Sequence, residues 1–189
     1  MTVFAVVLAG GQGSRLGDVR KAELRLGGQR LLDRVVTRLT GEILVSAGRG
    51  PQYAGYTCVP DLPGLVGGPL AGLAAAVLHL RGTAKPGDTL VSVPVDTPFL
   101  PADFVLKLAA GVTSESAAYA AWGEEIYPTN AAYRFGAISD LPERADSLGS
   151  PKRLLSALDA KAVRWEINHN PFANLNTLAD LVSLARRVE

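Results

Sequence analysis

The chain has almost no sulfur chemistry available to it. Its single cysteine, Cys58, has no internal disulfide partner, and no C-x-x-C pair or histidine cluster suggests a structural metal. A lone thiol of this kind is expected as a small core residue rather than a nucleophile. Long apolar runs are also missing, since none approaches the roughly 18 residues of a membrane-spanning helix. An apolar strand pattern begins at Val3 with no charged stretch before it, so neither a signal peptide nor a membrane span is expected, and the cytoplasm is the default. Charge of one sign is not in excess: 19 basic residues stand against 18 acidic ones, which argues against a dedicated nucleic-acid binder. Repeats, low-complexity tracts and long linkers are absent. At 189 residues one domain is expected across 1–189, large enough to bury its core without staples.

What is present begins with Val3-Phe4-Ala5-Val6-Val7, apolar and unalternating, the pattern of a buried parallel strand. It runs into Leu8-Ala9-Gly10-Gly11-Gln12-Gly13-Ser14-Arg15-Leu16-Gly17, with Lys21 close behind. Glycines free the backbone to turn its N–H groups onto an anion, and Arg15 and Lys21 add two positive charges. The stretch is not a Walker loop, because no Gly-Lys-Ser/Thr ends it. Nor is it a dinucleotide fingerprint: Gly11-x-Gly13-x-x-x-Gly17 is one residue too long, and Ser46 stands where the acid after the next strand belongs. A glycine-rich turn with solvated charges is the plainer alternative; handling of a nucleoside triphosphate is the functional one.

Strand and helix patterns then alternate. Leu31, Leu32, Val35, Val36 and Leu39 mark one helix between Arg30 and Leu39, and Ile43-Leu44-Val45 and Thr57-Cys58-Val59 mark two strands. Pro69 just inside a helix start, Leu73 and Val77 along it and Gly82 after it define the next helix. Thr89–Val93 is another buried strand, followed by a helix near Pro101 with Phe104, Val105 and Leu108 facing inward. This alternation predicts a mostly parallel sheet with helices on both faces, a Rossmann-like three-layer α/β fold. After about residue 112 the pattern loosens. Ala117–Trp122 and Asn130–Phe135 are expected as strands around Gly123-Glu124-Glu125, Ser150-Pro151 as a helix start, Val163–Trp165 as a strand, and Thr177–Asp180 as a capping box. The pattern thus divides the single domain into 1–111, a regularly alternating half, and 112–189, a mixed-sheet half.

In an open parallel sheet, ligands lie beyond the carboxyl ends of the strands. Ser46, Asp61 and Asp96 each follow such a strand, so they and the glycine loop are expected around one crevice. Asp96 sits between Pro94 and Pro98 on stiffened backbone, a suitable holder for Mg²⁺, which typically takes one or two carboxylates plus substrate phosphates. Its alternative is to cap the turn before the next helix; for Asp61, within Pro-Asp-Leu-Pro, the alternative is an ordinary turn. Asn174 and Asn176 alternate, which places both amides on one face of an extended segment, within reach of a metal or second substrate. His79 and His169 have no partner at ligand or triad spacing, and Trp122 and Trp165 are expected in the core.

The motifs Leu8-Ala9-Gly10-Gly11-x-x-x-Arg15-Leu16-Gly17 with Lys21, Gly68-Pro69-Leu70-Ala71-Gly72, Val95-Asp96-Thr97-Pro98, Tyr127-Pro128-Thr129 and Asn174-x-Asn176-Thr177 together resemble the MobA-like nucleotidyltransferases. Within that group, their order and spacing are most similar to the molybdenum cofactor guanylyltransferases. The resemblance implies a nucleotide-diphospho-sugar transferase-like fold. It also implies Mg²⁺-dependent transfer of GMP from GTP to the molybdenum–molybdopterin cofactor, releasing pyrophosphate and forming the guanine dinucleotide. By the same resemblance Leu8, Ala9, Gly10, Gly11, Lys21, Ser46, Asp61 and Asp96 contact GTP. Asp96 holds the metal, Asp96, Lys21 and Arg15 are the catalytic set, and Asn174 and Asn176 lie on the acceptor and metal side. The implied partners are GTP, a molybdopterin-type acceptor, and molybdoenzymes or other cofactor-synthesis proteins, for a monomer or weak homo-oligomer. Two positions depart from the pattern: Arg20 replaces the usual Asp before the lysine, and Ser46 replaces an Asn. These leave the base and acceptor open, with CTP or another triphosphate, or a non-catalytic nucleotide-binding module, as the alternatives.

Overall fold

A computed structural model of the chain describes residues 1–10, 12–13, 19–50, 52–65 and 67–186. In chain order the strands are β1 (Val3–Leu8), β2 (Gln12–Gly13), β3 (Val19–Arg20), β4 (Arg25–Leu26), β5 (Gln29–Arg30), β6 (Glu42–Gly48), β7 (Thr57–Pro60), β8 (Thr89–Pro94), β9 (Ala117–Trp122), β10 (Glu125–Arg134) and β11 (Lys161–Arg164). The helices are α1 (Leu31–Val36), α2 (Pro69–Leu80), α3 (Phe104–Gly111), α4 (Phe135–Ile138), α5 (Leu141–Leu148), α6 (Pro151–Ala157) and α7 (Leu178–Ala185).

Seven strands form one sheet in the order β11-β9-β10-β8-β1-β6-β7. β1 pairs parallel with both β6 and β8, and β6 pairs parallel with β7. β10 alone runs against its neighbours, antiparallel to β8 and to β9, while β11 is parallel to β9. β2–β3 and β4–β5 are two short antiparallel ladders beside the sheet.

Period-two geometry sends successive side chains of each strand to opposite faces, and both faces are buried here. Phe4, Val6, Leu44, Leu90, Ala131 and Tyr133 pack under α2, α4, α5 and α6. Ala5, Val7, Val45, Val91, Val93 and Ala132 pack under α1, α3 and the end of α7. Burial on both sides is why β1 and β8 carry apolar residues without alternation. Four small alanines in β9, Ala117, Ala118, Ala120 and Ala121, are fully buried and let helices approach this half of the sheet closely.

The sequence-based elements differ from these in particular places. β10 begins at Glu125, not Asn130, because its ladder to β9 is broken between Tyr127 and Ala131 and resumes beyond Pro128, an irregularity that proline's missing N–H accommodates. α1 closes at Val36, with Thr37, Arg38 and Leu39 turning behind it, and β11 stops at Arg164. Phe135, expected as the last residue of the Asn130–Phe135 strand, instead opens α4, and α4 and α5 lie within 135–148, where no helix was expected; α5 ends at Gly149 in the left-handed conformation, φ 68°. Cys58 is half-buried rather than in the core, its sulfur accepting from the Tyr53 N–H at 3.2 Å. No helix among the described residues is long and apolar enough to cross a membrane.

Candidate active site

The carboxyl ends of β1, β6, β7 and β8 open onto one cavity of about 860 Å³. Backbone bonds hold these ends shoulder to shoulder: Ala9 N–H donates to the Ser46 carbonyl at 2.9 Å, and Val95 N–H to the Leu8 carbonyl at 3.2 Å. Leu8, Ala9 and Gly10 form the wall at the end of β1, with Ser46 from β6, Asp61 after β7 and Asp96 after β8 around them. Gly10 and Gly48 are packed backbone to backbone; a Cβ on Gly10 would lie 2.8 Å from the Gly48 Cα. Only glycine permits that approach, which draws the chain after β1 against the end of β6 beside the cavity.

The Gly68–Gly72 motif has two local reasons. Gly68 takes φ 133°, a conformation that other residues rarely adopt, and turns the chain into α2, where Pro69 occupies the first helical position. Gly72 brings the first turn of α2 against Ser46; a Cβ there would collide with the Ser46 Oγ. The motif thus seats the helix start beside the cavity, and Gly67, Gly68 and Pro69 line it.

Asp96 and the loop after β1 meet through Lys21. The Lys21 Nζ donates to Asp96 Oδ2 at 2.8 Å and to Asn176 Oδ1 at 2.5 Å. Both partners of the ion pair are largely shielded, with side chains 14% and 16% exposed, so the pair is screened by salt much less than a surface salt bridge. The Asp96 carboxylate is not spent on a helix cap: α3 begins at Phe104, and Thr97 Oγ1 closes the local turn by donating to the Pro94 carbonyl at 2.9 Å. Asn176 is delivered by the segment before α7. Leu175 N–H donates to the Asp96 carbonyl at 2.8 Å, and Asp180 Oδ2 accepts from the Asn176 and Thr177 N–H groups at 2.9 and 2.8 Å. Those N–H groups, the Asn176 one foremost, hold the Asp180 carboxyl below its ordinary range. Asn174 is exposed, so of the two alternating amides only Asn176 reaches Lys21.

Asp61 faces a different balance. Burial pushes its carboxyl pKa up, and the Arg49 charge only partly offsets that. Arg20 and Arg49 also line the cavity, a feature the sequence reading left without a role. Arg20 lies 3.9 Å above the Tyr53 ring centroid, and the Tyr53 hydroxyl donates to the Ala9 carbonyl at 3.3 Å, which ties that shelf to the end of β1. The signal available for Arg49 was its place directly after a buried strand. Gly11 and Arg15 lie outside the described residues. His79 and His169 are exposed and away from the cavity lining.

Among the described residues no group of three or more His, Cys, Asp or Glu side chains converges as a self-sufficient metal site. Asp96 and Asn176 instead aim two hard oxygens at one cationic point, which Lys21 fills. A hard divalent ion fits such a pair when phosphate oxygens complete its shell.

Residues 5–163 match the MobA-like NTP transferase domain. The molybdenum cofactor guanylyltransferase of Acidiphilium cryptum is 36% identical over 186 residues, spanning 94% of this chain and 91% of that one. Its counterpart in Rhodobacter capsulatus is 35% identical over 196 residues, spanning 100% and 97%. The crystal structure of molybdopterin-guanine dinucleotide biosynthesis protein A from Archaeoglobus fulgidus superposes with a TM-score of 0.75 at 24% identity, covering 98% of this chain and 97% of that one. The 2-C-methyl-D-erythritol 4-phosphate cytidylyltransferase of Francisella tularensis gives 0.72 at 15% identity, covering 99% and 100%. These two likenesses concern the fold, an α/β architecture with a mixed central sheet. The chain belongs to the MobA-like NTP transferase family and is a nucleotidyltransferase.

Proposed function

We propose that the protein transfers GMP from GTP to the terminal phosphate of a molybdopterin-type acceptor carrying molybdenum, in a Mg²⁺-dependent reaction. An acceptor phosphate oxygen attacks the α-phosphorus; the bond from that phosphorus to the α–β bridging oxygen breaks, and pyrophosphate leaves. The observation that carries the reading is the meeting of Lys21, Asp96 and Asn176 at the rim of a cavity walled by the β1 end. The names of the relatives support guanine as the base and the molybdenum cofactor as acceptor.

Phosphoryl chemistry of this kind depends mainly on positioning and on fixed charge. Asp96 and Asn176 would hold the metal, which when bound offsets negative charge between the reacting phosphates. Lys21 stabilises charge on the leaving pyrophosphate, with Arg15 assigned the same duty from the sequence. Gly10 presents its backbone N–H to the triphosphate, with Gly11 assigned the same duty from the sequence, and Leu8, Ala9, Ser46 and Asp61 border the nucleoside. Asn174 is assigned to the acceptor side. No general base is required, because a phosphate monoester has its second pKa at about 6 and is already ionised at neutral pH.

The test is pyrophosphate release measured with the molybdenum-loaded acceptor and each of the four nucleoside triphosphates. Release with GTP alone supports the reading; release only with CTP moves the base assignment, and GTP binding without release under any condition refutes the transferase assignment.

A further inference from the structure

The cation that Asp96 and Asn176 hold is the protein's own ammonium group. We propose that Lys21 is a resident counter-ion at the metal position, so that a divalent cation enters only together with a nucleoside triphosphate. This rests on the reading of Asp96 as the metal-holding carboxylate.

Lys21 Nζ lies 2.8 Å from Asp96 Oδ2 and 2.5 Å from Asn176 Oδ1, so it occupies the point on which both oxygens converge. A metal arriving alone has to expel that ammonium, which then loses two charge-assisted bonds in a largely shielded place before any phosphate is there to receive it. A triphosphate arriving alone draws Lys21 away and leaves the Asp96 carboxylate bare beside its own negative charge. When both arrive, the exchange is matched: the metal takes the two oxygens and Lys21 takes the phosphates.

The exchange needs only side-chain rotation. Lys21 opens a short 3-10 turn through Glu23, whose middle residue Ala22 is fully buried, and Leu24 N–H donates to the Lys21 carbonyl at 3.1 Å. The backbone is thereby fixed while a four-carbon stem moves. Linkage makes the coupling reciprocal, so the factor by which nucleotide tightens metal equals the factor by which metal tightens nucleotide.

The experiment titrates Mn²⁺, followed by electron paramagnetic resonance, into the wild-type chain and Lys21→Met, each without nucleotide and then with GTP. The Asp96→Asn/Lys21→Met double variant serves as the blank. Lys21→Met without nucleotide should bind Mn²⁺ about tenfold or more tightly than wild type, since no charge-assisted bonds must be broken first. GTP should tighten Mn²⁺ strongly in wild type and much less in the variant. Equal Mn²⁺ affinity in the two nucleotide-free proteins, with binding in wild type still raised by GTP, removes the counter-ion role and leaves the metal reading standing. Absence of Mn²⁺ binding by wild type even with GTP overturns both.

A second measurement needs no substitution. The Lys21 ammonium resonance of ¹⁵N-labelled protein should be protected from exchange in the free state, unchanged by Mg²⁺ alone, and shifted by Mg²⁺ with GTP. Displacement by Mg²⁺ alone overturns the proposal.

Discussion

The close approach of Gly10 and Gly48 gives a prediction whose size follows from distances. An ideal Cβ on Gly10 would stand 2.8 Å from the Gly48 Cα and 2.9 Å from the Gly48 N, whereas carbon atoms rest comfortably at about 3.5–4.0 Å. Both obstructing atoms are backbone, so no rotamer change relieves the contact and the two strand ends must part. Overpacking of this kind costs about 1–3 kcal/mol, the expected loss for Gly10→Ala. Gly48→Ala meets the same wall from the other side, 2.9 Å from the Gly10 Cα, and adds a φ of 63°. The left-handed conformation costs a further increment, for a total of about 2–5 kcal/mol. Gly28 is the control: its φ is 78°, but nothing lies within 4 Å of its would-be Cβ. Gly28→Ala therefore carries the conformational cost alone, about 1–2 kcal/mol. Urea unfolding measures all three, and each kcal/mol should also move the melting temperature by about 2–4 °C. If Gly10→Ala is as stable as wild type, or Gly48→Ala no worse than Gly28→Ala, the packing argument for the Gly10–Gly48 contact is wrong.

Four further outcomes are expected. Asp96→Asn should abolish pyrophosphate release while the far-ultraviolet circular dichroism spectrum and cooperative melting persist; near-normal turnover removes Asp96 from the chemistry. Lys21→Ala should weaken GTP binding about tenfold or more in calorimetry, the value of a charge-assisted bond, and an unchanged dissociation constant contradicts the phosphate assignment. Asp61 has a folded pKa above the unfolded value of 3.8, so its penalty is absent below that value and grows as pH rises through the folded pKa. Asp61→Asn should therefore raise the melting temperature of the nucleotide-free protein at neutral pH and lose that advantage in acid. Asp180 has the opposite sign: its contribution is present above 3.8 and lost as pH falls through its lowered pKa. Thr177→Ala, which removes the reciprocal half of that capping box, should cost about 1 kcal/mol at neutral pH by thermal melting.

The parallel core was legible because burial on both faces leaves a plain mark: Val3–Val7 and Thr89–Val93 carry apolar residues at every parity. Strand ends were legible because a polar residue after such a run has one direction to face, which grouped Ser46, Asp61 and Asp96 at one cavity. α5 was not, because its mean composition is polar and only Leu141 and Ala145 are buried, too few to show a period. The early start of β10 was hidden by Pro128, which reads as a strand breaker but sits at the interruption of the ladder. Asn176 and Asn174 are chemically identical in the sequence. Only the bond from Leu175 to the Asp96 carbonyl and the Asp180 cap decide which of them turns toward Lys21.

The position of Asp96 follows from how the chain crosses its own sheet. From β1 it moves outward through β6 to β7, then returns across to β8 on the other side of β1. Connections that leave in opposite directions keep a gap open at the carboxyl end of β1, and the cavity lies there. β10 then runs antiparallel beside β8, which places its first residues, not its last, at this same edge. Ser92 Oγ donates to the Thr129 carbonyl at 2.9 Å and fastens that start to β8. β11 is parallel to β9, so the segment after it also emerges at this edge and returns as Leu175 to bond the Asp96 carbonyl. Asp96 is therefore the point where the β6, β7 and α2 side meets the β10 and Asn176 side. A nucleotide placed on the first and an acceptor phosphate on the second would face each other across that carboxylate. A substitution on either side that touches none of Asp96, Lys21 and Asn176 should then change the KM for one substrate in the pyrophosphate-release assay and leave the other's intact.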